Sequence, residues 1–495
     1  MDTAERDQLV VPTDSGWALT HAGMARHGVH ALDFCAGLDA SGQLVVCAPG
    51  GDTGTCIADE PEDWTGTWPE WCLASLATDG WDLADADTEV LNELLLDLQP
   101  THSEAAGSVL EEAFPGLTPE LRALMYQLSG YLYLTDIDQV LATLAAGVAQ
   151  SVPGDPLWLM LVSVSSSGKG ESLRLLDHVA EARLKDITLP GLLSRSRGKN
   201  SRTIGLLTKL QDADALLTIT DFSALLGDNK RSGDTKADLF NALRDIYDGE
   251  YSRTMDGGTA YWSGRISFVA ACTPAIDRFT AHADSLGTRW LYYRQPQQDA
   301  EVRQRKAEMA FRRANLADKR AQAASLAGEI VQRARANAAS VSMPYEFEQV
   351  LTSAAVLVGY GRASVPRDWR GQIEDVVHSE DPSRLASQLK LLATGLLALG
   401  VAEEVALRVT RHAALSSMPV ARAEVLKTMA ASIDSTISAY RIAKETGMHP
   451  NTVAKALEDW ETIGFAEKLN VEGGTASGDW KLTNEHLETV RKVLS

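Results

Sequence analysis

A chain of 495 residues, 45% hydrophobic and 23% charged, exceeds what one hydrophobic core usually organises and predicts two to four globular domains. Its net charge of −21 is confined to one end: residues 1–150 hold 25 acidic and 3 basic residues, whereas the remainder holds 42 and 43, so the first segment repels a phosphate backbone and the rest is free to carry basic patches. The five cysteines (Cys35, Cys47, Cys56, Cys72, Cys272) are odd in number and form no C-x₂-C pair, and no run approaches about 18 apolar residues, which argues against a disulfide framework, a zinc ribbon, a signal segment or a membrane span and predicts a soluble, cytoplasmic protein.

In chain order, residues 1–100 show short β-type runs such as Gln43–Cys47, punctuated by Gly, Asp and Pro, and read as a small acidic α/β domain. Its surface is a solvated face or a docking surface for a protein partner. His21, His27, His30 and Cys35 match no strong metal spacing and read as ordinary structural residues. Residues 101–150 form a helical lead-in, with Leu121, Leu124, Leu128 and Leu132 on one face.

The section from 151 to 300 carries the chemistry. An apolar strand, Leu157–Val162, enters a small-residue turn, Ser163-Val-Ser165-Ser166-Ser167-Gly168-Lys169-Gly170-Glu171, and a helical pattern follows to Ala180. Strand, tight loop and helix in that order aim backbone N–H groups and a lysine at a polyphosphate. The usual spacing is G-x-x-x-x-G-K-[S/T]. Here Ser163 stands at the first glycine and Gly170 at the hydroxyl. Ser167 or Ser172 is a candidate replacement for that hydroxyl. Two further apolar strands end in polar groups, Ala215–Asp221 in a carboxylate and Arg265–Thr273 in a hydroxyl. Strands alternating with helical patterns predict a parallel sheet flanked by helices, with ligands at the carboxyl ends of the strands. Arg195, Arg197, Lys199 and Arg202 make a basic loop, and Asp256-Gly-Gly258 is the turn of a hairpin carrying Arg253; each is a phosphate contact or a solvated charged loop.

Residues 301–424 begin with a long helix, 301–335, with nine basic and four acidic residues and a seam of Val302, Met309, Leu316, Ala323 and Ile330. Residues 425–495 read as helix, turn at Gly447, helix, then two strands across Gly473-Gly474. This is a winged helix-turn-helix pattern, whose Lys444, His449, Asn451, Thr452 and Lys455 face DNA, or whose surface contacts protein.

Leu239–Arg253, the hairpin Thr254–Trp262 and the strand ending Ala271-Cys-Thr-Pro274 together resemble the AAA+ ATPases of the helix-2-insert group. Minichromosome-maintenance helicases and bacterial enhancer-binding ATPases are similar, and so are ATP-binding proteins of actinobacterial phages and mobile elements. The resemblance covers about 150–495. It implies a P-loop AAA+ sheet with a helical lid, ATP and Mg²⁺ as ligands, and an oligomeric ring, often a hexamer, acting on DNA. Ser163, Ser165, Ser166, Ser167, Gly168, Lys169, Gly170 and Glu171 would cradle the phosphates, and Asp221 would organise Mg²⁺. Thr273 would place the attacking water, Arg289 would reach a neighbour's site, and Arg384 would act as a second sensor. Phe222 stands where many relatives carry a catalytic glutamate, and Glu171 or Asp228 would polarise the water in its place. The implied activity is a helicase or helicase-like replication motor; the alternative is an ATP-switched DNA-binding initiator, loader or regulator with little hydrolysis.

Overall fold

The computed structural model describes residues 113–195, 202–223, 225, 233–255, 258–278, 289–312, 315–374, 377–432, 436–469 and 479–494, and the backbone of five strands before residue 57. The chain divides into two compact units, 1–135 with 300–319 and 136–299 with 320–495. The histidines and cysteine weighed above as a metal site lie outside the residues whose side chains are described, as does Asp228.

In the first unit, β1 (Val10–Thr13) pairs antiparallel with β2 (Gly16–Leu19). The strands β3 (Cys35–Leu38), β4 (Leu44–Cys47) and β5 (Gly54–Cys56) form an antiparallel meander. Helix α1 (Pro119–Ser129) starts where the Thr118 hydroxyl accepts from the Leu121 amide at 3.4 Å, with Pro119 pre-set for the first turn. Leu121, Leu124, Met125 and Leu128 are its buried face.

The second unit opens with α2 (Ile137–Ala149), capped by the Asp136 carboxylate. The expected lead-in is therefore two helices. Next come β6 (Trp158–Val162), α3 (Lys169–Arg174), β7 (Ala182–Leu184), the short hairpin β8 (Ser194–Arg195) and β9 (Thr203–Ile204), and β10 (Asp214–Ile219). They are followed by α4 (Gly233–Tyr247), the hairpin β11 (Glu250–Met255) and β12 (Gly258–Ser263), β13 (Arg265–Cys272) and β14 (Trp290–Arg294). Five strands make one parallel sheet in the order β14-β6-β13-β10-β7. The central strands are buried along their length apart from the first residues of β10 and β13, which is why they read as continuous apolar runs rather than alternating ones. Trp158 organises the core at the first residue of β6. Its ring meets Phe268 and Tyr247 edge-on, with centroids at 4.8 and 5.2 Å, and its indole N–H donates to the Ile266 carbonyl at 2.7 Å.

The expected continuous helix 301–335 is instead α5 (Ala300–Arg312), in the first unit, and α6 (Leu316–Asn337). Asn315 adopts a left-handed φ of 49°, which a helix interior cannot hold and which asparagine tolerates better than most residues. Its carbonyl then accepts from the Lys319 amide at 3.2 Å to begin α6. Only the later part of the seam is buried, as Ala323, Ala327, Ile330, Val331 and Ala334.

Four helices follow: α7 (Tyr345–Gly361), α8 (Ser383–Ala398), α9 (Glu403–Ser416) and α10 (Val420–Ala431). Helix α8 runs against α2 so closely that a Cβ at Gly395 would lie 2.3 Å from the Ala145 carbonyl oxygen. The C-terminal part comprises β15 (Ile437–Ser438), α11 (Ala439–Thr446), α12 (Pro450–Ile463), β16 (Ala466–Leu469), β17 (Asp479–Leu482) and α13 (Leu487–Leu494). Its three strands pair antiparallel in the order β15-β17-β16. Gly447 turns α11 into α12 at φ 67°, and Val453, Leu457 and Trp460 are fully buried. Buried Arg422 on α10 fastens this part to the bundle: it donates to the Gly361 and Ala363 carbonyls and pairs with Asp459 of α12. Among the described residues, no helix is long and apolar enough to cross a membrane.

Candidate functional site

Parallel strands bring their carboxyl ends to one edge of the sheet, and β13 lies between β6 and β10. This order sets the loop after β6, Thr273 after β13 and Asp221 after β10 side by side. The loop itself is tightly built. The Ser163 amide donates to the Cys272 carbonyl at 3.2 Å, tying the loop's start to β13. The Ser163 and Ser167 hydroxyls meet at 2.5 Å and close the turn, while Ser165 and Ser166 are exposed and Ser166 takes φ 62°. Gly168 sits at φ 106°, where a side chain would be strained, so a glycine is needed there for conformation rather than for space.

Lys169 opens α3 and is almost wholly buried. Its ammonium donates to the Ser163 carbonyl at 2.5 Å and the Val164 carbonyl at 2.7 Å, so it folds back over the loop. Burial pulls its pKa down from 10.5 to about 8, against the attraction of nearby Asp221. Gly170 is exposed and a Cβ there would meet nothing within 4 Å, leaving open space beside the lysine.

The two serines weighed as substitutes for the missing hydroxyl have other partners. Ser172 accepts from Gln139 at 2.8 Å in the interior, and Ser167 bonds Ser163. Glu171 is held by a two-point contact with Arg320 of α6 and lies 3.8 Å from Arg174. It fastens α3 to α6 and does not face the loop as an uncommitted base.

Asp221 is exposed two residues beyond β10, and one of its oxygens accepts from the Ser223 amide at 3.0 Å. The Ser223 hydroxyl accepts from the Thr273 amide at 2.8 Å and meets the Thr273 hydroxyl at 3.1 Å. Ser223 thus joins the carboxylate strand to the hydroxyl strand. The sequence reading missed it, although a hydroxyl two residues after a strand-end aspartate was the available signal. Arg294 was missed with its strand. It pairs with Val162 in the register, and its guanidinium is engaged by Asp277 at 2.6 and 3.0 Å and by the Ser416 carbonyl at 2.9 Å.

Arg289 and Arg384 belong to a different place. Arg289 precedes Trp290, which pairs with Trp158 at the first residue of β6, so it lies at the opposite end of the sheet from the loop, about 13 Å of strand away. Its guanidinium pairs with Asp248 at 2.7 Å and stands 5.5 Å from the Tyr247 ring centre; that of Arg384, the second residue of α8, stands 5.8 Å from the same ring. Gln388 of α8 donates to the Arg289 carbonyl at 2.6 Å and helps fix it. Burial pushes the Tyr247 hydroxyl up to about 12, so it is a neutral platform under two cations. The five side chains expected to act on nucleotide, Lys169, Asp221, Thr273, Arg289 and Arg384, therefore form two groups at opposite ends of the sheet strands.

Of the residues expected to meet DNA, Arg253 on β11 donates to the Leu193 carbonyl at 2.8 Å, next to β8. Arg195 lies on β8 and Arg202 is exposed just before β9, whereas Arg197 and Lys199 fall outside the described residues. Lys444, Asn451, Thr452 and Lys455 are all exposed on α11 and α12, and the His449 ring accepts from the Asn451 amide at 3.2 Å to cap α12. No protein-family model matches the chain, and no curated protein matches it either.

Proposed function

We propose that the chain is an AAA+ ATPase of the helix-2-insert group that assembles into a ring and couples ATP hydrolysis to movement on, or remodelling of, DNA. The observation that carries this reading is the adjacency of the Lys169 loop, Thr273 and Asp221 at the ends of three neighbouring parallel strands. In this reading Lys169 leaves the loop carbonyls for the β/γ-phosphates, whose charge offsets the cost of its burial. Thr273, oriented by Ser223, positions the water that attacks the γ-phosphorus as the bond to the β-phosphate oxygen breaks. Mg²⁺, when bound, neutralises charge on the phosphate oxygens, and Asp221 is the carboxylate available to hold it directly or through water.

The two arginines support the ring. A cation on the far edge of the sheet is too distant to serve the loop of its own subunit, but it can serve the loop of a neighbour stacked edge to edge. Arg289, buried and paired with Asp248, would exchange that carboxylate for a neighbour's phosphate, with Arg384 beside it on the same tyrosine. The helices after β14 would form the lid, and α11 with α12, β16 and β17 a winged helix-turn-helix contacting duplex DNA. The acidic N-terminal segment would bind a protein partner.

A second reading, an ATP-switched initiator or loader with little turnover, is favoured by Gly170 and by the capture of Glu171 by Arg320. ATP hydrolysis measured with and without DNA separates the two. The motor requires turnover that DNA stimulates and that Lys169→Ala or Arg289→Ala abolishes; ATP binding without turnover would select the switch.

A further inference from the structure

Between α7 and α8 the chain makes an excursion that nothing above uses. There Ser364 is bridged to His378 and Arg367 to Ile373, both antiparallel. The tip is Asp368-Trp369-Arg370-Gly371. The Gly371 amide donates to the Asp368 carbonyl at 2.9 Å, the Asp368 amide donates to the Gln372 carbonyl at 2.8 Å, and Gly371 takes the left-handed φ of 83° that closes such a turn. The Asp368 carboxylate also accepts from the Arg370 and Gln372 amides at 2.8 and 2.7 Å. This tip is braced from inside and needs no ligand to order it.

What it displays is unusual. Trp369 is 86% exposed, whereas tryptophan is mostly buried in folded proteins. The guanidinium of Arg370 stacks 4.5 Å from its ring centre, covering one face and leaving the other to solvent. The base of the excursion is fastened to α12: Arg367 pairs with Glu458 at 2.9 Å and with Asp459 at 2.6 Å. A groove of about 450 Å³ lies alongside, lined by Ser364 and Val365 on one bank and Asn451, Thr452 and Lys455 on the other.

We propose that this hairpin is a stacking site for an unpaired nucleobase, so that the C-terminal part holds single-stranded DNA beside α12. The inference rests on the DNA reading above and names the substrate that reading leaves open. A rigid indole with one free face suits any base, because every base has a π-face. Arg370 and Lys455 supply charge for the adjoining phosphates, and the groove supplies the path. A protein partner would ask for a contiguous apolar patch, whereas Trp369 is flanked in the chain by the charged Asp368 and Arg370, and Arg370 covers one of its faces.

Binding of the full chain to a fluorescein-labelled oligothymidylate, without ATP, tests this by anisotropy. Trp369→Ala should weaken binding roughly tenfold, and Trp369→Phe should retain most of it. An abasic oligonucleotide of equal length should bind the native chain and Trp369→Ala alike, and affinity for a blunt duplex should not change. Because Trp369 is exposed, thermal unfolding of both variants should match that of the native chain. Equal affinity of the native chain and Trp369→Ala for oligothymidylate would overturn the proposal, as would an equal loss on the abasic strand or the duplex. If the native chain binds duplex but not the single strand, the hairpin site falls and the DNA reading stands; if it binds neither, both fall.

Discussion

Lys169 is held in a compromise: its ammonium has lost most of its water and is met by two backbone carbonyls and, among the described residues, no carboxylate at contact distance. Its pKa in the folded chain, about 8, lies below the ordinary 10.5, so the unfolded chain binds more protons between those values. The free fold is therefore penalised at neutral pH, and the penalty fades as the pH rises from about 8 towards 10.5. A triphosphate reverses the preference by favouring the charged amine. Nucleotide binding near pH 8.5 should then take up a proton and weaken as the pH rises further. Calorimetry in two buffers of different ionisation enthalpy reads that uptake directly; binding with no proton uptake would mean that Lys169 does not meet the phosphates. Gly170 gives a second test at this scale. A Cβ there meets no atom within 4 Å, so Gly170→Thr should be accommodated without loss of stability. If a missing metal-binding hydroxyl limits hydrolysis, turnover should rise severalfold and reach its maximum at lower Mg²⁺; an unchanged rate would show that Asp221 and water already suffice. The lysine was legible because an apolar run and a small-residue turn lead into it, and the strand-end aspartate because it closes an apolar run. Ser223 was not, since its role depends on β10 and β13 being neighbours, which spacing along one strand does not reveal.

At the scale of elements, long-range fastenings decide the architecture, and these were the least legible. The apolar runs predicted β6, β10 and β13. The edge strands were missed for physical reasons: β7 is three residues long, and Trp290-Leu-Tyr-Tyr293 reads equally as a helix face. The break at Asn315 was hidden under a heptad seam that continues across it. The turn at 368–372 owes its shape to one carboxylate and one glycine, too little signal to separate from an ordinary loop. The Asp459 carboxylate is a comparable case, because it receives Arg422 and Arg367 from two other segments. Asp459→Ala leaves the buried Arg422 guanidinium without its charge partner, at a cost of about 3 kcal/mol. Urea unfolding should show that loss, with a smaller one for Asp459→Asn, which keeps an acceptor. A loss below about 0.5 kcal/mol would mean that the carbonyls of Gly361 and Ala363 hold Arg422 unaided.

At the scale of the whole molecule, the distribution of charge and the two-edged sheet point the same way. The acidic excess is confined to the N-terminal 150 residues, and the remainder is nearly balanced, which leaves the exposed cations of α11 and α12 free to meet a phosphate backbone. The groups proposed to act on ATP divide between two edges, Lys169, Asp221 and Thr273 on one, Arg289 and Arg384 on the other. A lone subunit in this account has two half-sites and no complete one. The measurement that bears on it most directly is DNA-stimulated ATP turnover of Lys169→Ala, of Arg289→Ala, and of the two mixed. Each variant alone should be inactive against an active native chain. The mixture should regain part of the native rate, because an interface joining an intact loop from one variant to an intact arginine from the other is complete. A native chain that binds ATP without turnover, or a mixture as inactive as its components, would contradict the account.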